Sequence, residues 1–231
     1  MSVLSRSITM VALTAALGAS ALSAQDAHRN ENFRWSFGGQ AGVLIYKTPT
    51  QSRGGQPMAG VNMLIKARRT GLLLAIDEVI GKDQTSSFSS SAAAGGTETV
   101  SFNDIRRYSA TLVAYPFRSP VQPYIGLGFG ILHVVNPQPV TNTSDAERSY
   151  AATAGSTGFG SLVGGIEFHL GGIMAFGQYQ VTTAPRNQTV RGPSPAFATI
   201  ASGHLIDGPT HSLAGGLRIS FGSARESNGD Y

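Results

Sequence analysis

The residues with the widest chemical scope in this chain are six charged side chains: Arg34, Lys66, Asp77, Arg107, Glu167 and Arg218. Each lies in a segment where large apolar residues take alternate positions. Each falls on the opposite, small and polar side, in phase with Gln40 or Gln178. A period of two assigns successive residues to opposite faces of a β-strand. Charges of both signs on one set of faces can fill an enclosed interior as a hydrogen-bonded ion network, since an unpaired buried charge is costly. If those faces border water, ion pairs that exchange partners can instead gate a pore. The filled interior is the expectation here, because a small closed sheet is only just wide enough for its own side chains.

Other chemistries find less support. His211-Ser212, with Glu167 or Asp207 as an orienting carboxylate, is the local candidate for nucleophilic catalysis. Adjacent strand residues point to opposite faces, so the pair is not expected to share a site, and no enzymatic activity is expected. His28, His133, His169, His204 and His211 stand singly, without paired ligand spacing, and there is no cysteine for a thiolate site, a disulfide or a lipid anchor. The Gly-x-Gly strings fall within strands, with no following helix to offer its N-terminus to phosphate. Neither metal nor cofactor is therefore expected. The net charge of +4 is small and scattered, which argues against nucleic acid as a partner.

The elements that must position these side chains are eight alternating segments. They run approximately over residues 34–46, 58–67, 72–80, 100–117, 124–134, 157–170, 173–183 and 212–221. The clearest are Tyr124 to Val134, where Ile125, Leu127, Phe129 and Ile131 oppose Gly126, Gly128 and Gly130, and Ser212 to Phe221. Their connectors alternate between short turns and long loops, the longest over 82–99, 136–156 and 184–209. That rhythm predicts an all-β fold: an eight-stranded, antiparallel, up-and-down transmembrane β-barrel, with long loops outside and tight turns on the periplasmic side. Glu78 breaks the apolar face of the third strand, so the lipid-facing band should end near it. Trp35, Tyr115, Phe117, Tyr124, Phe168 and Phe221 lie near strand ends on the short-turn side and are expected to form an interfacial girdle. Residues 1–24 read as a cleaved secretory signal peptide, with Arg6, an apolar run from Ile8 to Leu17 and small residues up to Ala24. Residues 25–222 are expected to form the barrel and 223–231 a short polar tail.

The stretch Tyr115-Pro116-Phe117 followed by Pro123-Tyr124-Ile125-Gly126-Leu127-Gly128-Phe129-Gly130 resembles the OmpA-like outer-membrane β-barrel family. A Pro-Tyr-x-Gly-x-Gly-x-Gly strand after a short periplasmic turn recurs in that family. Ser220-Phe221 is similar to the aromatic signal read by the barrel-assembly machinery, although ten residues follow it. The resemblance implies a monomeric barrel in the bacterial outer membrane; unlike in full-length OmpA proteins, no peptidoglycan-binding domain is expected to follow it. The barrel-assembly machinery would be its partner during biogenesis, and outer-membrane lipid and lipopolysaccharide its surroundings. A non-enzymatic role in the envelope follows, with the long loops displayed to an extracellular ligand whose identity is open. The competing readings are a small ion or solute pore and a soluble periplasmic ligand-binding barrel. The last requires a polar exterior at Leu127, Leu162 and Leu217.

Overall fold

The computed structural model describes residues 33–67, 69–90, 96–117, 119–140, 145–170, 172–185, 188–190 and 201–221. The expected signal peptide and C-terminal tail lie outside the described residues. Alternation of apolar and small residues drives each long segment into a strand. Those strands are β1 (Phe33–Lys47), β2 (Gly54–Ala67), β3 (Thr70–Ser90), β4 (Thr97–Ala114) and β5 (Val121–Val134). After a two-residue strand, β6 (Gln138–Pro139), and helix α1 (Asp145–Ala154) come β7 (Ser156–Leu170) and β8 (Ile173–Thr182). Two short strands, β9 (Gln188–Val190) and β10 (Ala201–Gly203), precede the last, β11 (Asp207–Phe221). The eight long strands pair antiparallel with their neighbours in chain order, and β11 pairs back onto β1 from Trp35–Phe221 to Lys47–Asp207. The sheet is therefore a closed eight-stranded barrel in which no long strand offers a free edge.

The exterior is apolar where a bilayer would meet it. Leu127, Phe129, Leu112, Leu213 and Leu217 are each more than half exposed, and Leu162 is exposed as well. A soluble barrel would wet these positions with polar side chains, so this belt overturns the soluble alternative. The belt ends where the sequence indicates. Glu78 and Arg106 face outward as an exposed pair at 3.3 Å. Past the exposed Ile80 the outer faces of β3 and β4 turn polar, with Thr85, Ser87, Thr99 and Ser101.

Three expectations need correction. The segment 82–99 is largely not a loop: β3 continues to Ser90 and pairs with β4 from Thr97 onward. A bulge between Ile80 and Gln84, with Asp83 at a φ of 52°, resets the strand's phase. Below the bulge Asp77 and Val79 face inward; above it Gln84, Ser86 and Phe88 do. The segment 136–156 likewise carries β6 and α1, because Tyr150, Ala151 and Ala154 align on one helical face and bury it. Finally, Tyr115 and Tyr124 are not girdle residues, since both rings turn into the barrel and are buried. Trp35, Phe117 and Phe168 are exposed on the short-turn side, where Phe33 joins them, and Phe221 is half-buried.

Candidate functional site

The inward faces of the strands build one continuous polar network at mid-lumen. Asp77 on β3 accepts from Arg107 on β4, through Nη2 at 2.7 Å and Nε at 3.1 Å. Arg107 Nη1 donates to Ser212 Oγ on β11 at 2.9 Å. The other Asp77 oxygen accepts from Gln40 on β1. Gln40 Oε1 accepts in turn from Asn62 on β2 at 3.1 Å and from Gln178 on β8 at 3.4 Å. Asn62 Oδ1 accepts from Arg218 Nε at 2.6 Å. Arg218 Nη1 donates to Glu167 on β7 at 2.8 Å, and Tyr115 OH donates to the same oxygen at 2.9 Å. Tyr124 on β5 donates to Gln178 at 3.0 Å. Every one of the eight long strands thus contributes a side chain.

This arrangement follows from the sequence locally. Gly38 stands opposite Arg218, and Gly60 opposite Asp77. A Cβ at Gly38 would strike the Arg218 side chain, and one at Gly60 the Asp77 carboxylate. Glycine therefore leaves the space into which each ion folds across the lumen. The Arg218 guanidinium also lies over the Phe176 ring, 3.7 Å from its centroid, an arrangement that favours a cation. Asp77, Arg107, Glu167 and Arg218 are all buried, so their pairing offsets a desolvation cost that no single member could bear.

Of the six charges expected to share the lumen, five are brought together. Lys66 Nζ lies 3.6 Å from Glu167 Oε2, sits over the Tyr115 ring and donates to Gln122. Arg34 shares the lumen face, but its Nε is buried without a hydrogen-bond partner. His211 and Ser212 diverge as expected: Ser212 enters the lumen network, whereas His211 Nδ1 lies 2.5 Å from Tyr179 OH, against an exposed ring. Among the described residues, no three His, Asp or Glu side chains gather as a metal site.

Sequence reasoning missed the layers above and below the network. Toward the short turns, Leu64, Leu73, Val113, Val163 and Met174 pack with Tyr115 and Tyr124. Toward the long loops, a larger apolar cluster runs from Leu44, Met58, Val79 and Leu132 up to Phe88, Tyr150, Leu205 and Ile206. Tyr150 of α1 packs on Phe88 with ring centroids 4.6 Å apart, and burial pushes its phenol pKa up. Ser86 Oγ donates to Leu205 O at 2.8 Å, pinning the segment before β11 beneath the β3–β4 hairpin. The pattern therefore changes with height. Within the belt the wall is apolar outside and carries the polar network inside; above it the outer face turns polar, and large apolar residues such as Phe88, Val100 and Phe102 turn inward beside Gln84, Ser86 and Glu98. The signal for this lay in Phe88, Val100 and Phe102, which are large apolar residues set among Ser and Thr. At the outer rim, Thr48, Thr50, Gln51, Ser52, Gln56 and Gln84 line an open, uncharged groove of ≈ 430 Å³.

No protein-family model matches the sequence, and no curated protein matches it. Among solved structures the chain is similar to Neisserial surface protein A, with a TM-score of 0.50 and 9% identity over 83% of this chain and 98% of that one. It also aligns with the outer-membrane protein OprG from Pseudomonas aeruginosa, with a TM-score of 0.48 and 14% identity over 82% of this chain and 96% of that one. At these identities the first likeness speaks for the fold. Together with the apolar belt, it makes this chain an eight-stranded β-barrel of the bacterial outer membrane.

Proposed function

We propose that the protein is a non-enzymatic, sealed outer-membrane barrel that serves as a scaffold for an ordered extracellular cap. The observation that carries this reading is the occupancy of the lumen. A network drawn from all eight strands lies between two apolar layers, and the upper layer continues into α1 and the segment before β11. A barrel built this way spends its interior on its own stability and leaves recognition to surfaces above the membrane. The Pro123–Gly130 strand after its short turn supports a kinship with OmpA-like barrels, and Ser220-Phe221 supports recognition by the barrel-assembly machinery. Closure of β1 on β11 favours a monomer. Glu78, Arg106 and His133 stand in cross-strand register at the belt's upper edge, a level suited to lipopolysaccharide headgroups.

Because the chain has no cysteine, single cysteines report orientation without background. An impermeant maleimide should label Ser52→Cys on intact cells, and should label Gly172→Cys only after the envelope is opened. Labelling of Gly172→Cys on intact cells, with Ser52→Cys protected, would overturn the display reading.

A further inference from the structure

Among the described residues, the short-turn mouth of the lumen holds more cations than carboxylates. Arg34 and Lys66 are direct cross-strand partners on β1 and β2, and both lie on the lumen face. Like charges directly opposite on paired strands destabilise the pair. Arg218 sits deeper in the same half. Among the described residues, Glu167 is the single lumen carboxylate there, and it is already engaged. Its Oε1 accepts from Arg218 and Tyr115, while its Oε2 faces Lys66 at 3.6 Å. Among the described residues, Glu167 thus faces both Arg218 and Lys66, and Arg34 adds a third cation to this half. The Arg34 Nε is buried and donates to nothing, while the Lys66 ammonium is fixed over the Tyr115 ring at 3.7 Å. The Lys66 side chain keeps 12% of its exposure, so solvent reaches it from the short-turn side.

We propose that this mouth is an anion site, in which a carboxylate or phosphate group is held between the Arg34 guanidinium and the Lys66 ammonium. A guanidinium donates in a planar fork and an ammonium acts as a compact point charge, so together they suit an oxyanion with several acceptor oxygens. The anion relieves the repulsion between the two cations and supplies an acceptor for the Arg34 Nε. Two sources carry this chemistry: a free periplasmic oxyanion, or the carboxylates of Glu226 and Asp230, which follow the end of β11 in sequence. The end of that strand pairs with Trp35, one residue from Arg34.

The test is thermal unfolding of the full-length barrel in detergent micelles, with inorganic phosphate titrated against chloride at constant ionic strength. Trp35, the only tryptophan, provides the fluorescence signal. A free anion predicts a saturable rise in the midpoint. Arg34→Gln or Lys66→Gln should then weaken the apparent phosphate affinity tenfold or more, and Arg106→Gln should leave it unchanged. If the chain's own carboxylates occupy the site, the parent protein does not respond. The Glu226→Gln/Asp230→Asn variant then gains a phosphate-dependent rise that Arg34→Gln abolishes. No response in either background overturns the site, as does a response that survives loss of both Arg34 and Lys66.

Discussion

Two ion pairs on one hairpin provide a controlled comparison. Asp77–Arg107 and Glu78–Arg106 are consecutive rungs of the β3–β4 ladder, so they share strand, depth and local pairing. Alternation sends the first into the lumen, where its side chains are 0–1% exposed, and the second outward, where both are nearly half exposed. Arg107→Gln leaves the Asp77 carboxylate buried with Gln40 as its remaining donor. Removing one member of a buried pair costs about 3–5 kcal/mol, because the other charge is stranded. The double variant Asp77→Asn/Arg107→Gln leaves amides and no buried charge. It should therefore cost less than the sum of the single changes, with a coupling of about 2 kcal/mol, within the range for residues in one network. Glu78→Gln and Arg106→Gln should each stay within about 1 kcal/mol of the parent, as solvated pairs do. The assay is reversible guanidinium unfolding of the barrel in phospholipid vesicles, followed by Trp35 fluorescence. If Glu78→Gln proves as damaging as Arg107→Gln, the assignment of inside and outside on this hairpin is wrong.

Two further outcomes follow from the layers. Leu127 is 70% exposed in the middle of the β5 apolar face, so Leu127→Arg should cost about 2–4 kcal/mol in a bilayer, measured by the same unfolding assay. A cost near zero would mean that this face meets water. Tyr150→Ala removes the ring that seats α1 on Phe88 without touching the barrel wall. Trypsin should then cleave faster near the exposed Arg148 while the heat-dependent gel shift of the folded barrel persists. Loss of that gel shift would show that the cap and barrel fold as one unit.

The wall of this protein was legible because lipid on one side and packed side chains on the other impose a strict period of two. That period places Leu127, Leu162 and Leu217 outside, and Asp77, Arg107, Glu167 and Arg218 inside. It lost its force above Glu78, where water replaces lipid and the outer face no longer has to be apolar. There the bulge at Gly81–Asp83 shifts the phase, and Phe88 among serines reads as loop composition when it is the seat of a small core. Helix α1 was hidden for a related reason. At ten residues it is too short to announce itself by periodicity, and its stability comes from burying Tyr150, Ala151 and Ala154 against partners distant in sequence. Tyr115 and Tyr124 misled in the opposite direction. An aromatic near a strand end suits the interface, but these two carry hydroxyls that Glu167 and Gln178 accept inside the barrel.

Planar-bilayer recording of the folded barrel tests the sealed lumen most directly. The account predicts no discrete conductance from the parent protein at moderate voltage, because the buried Asp77–Arg107 and Glu167–Arg218 pairs and the apolar layers on either side stand across the lumen. Steady, voltage-independent single-channel openings from correctly folded parent protein, altered by Arg107→Gln or Arg218→Gln, would contradict it.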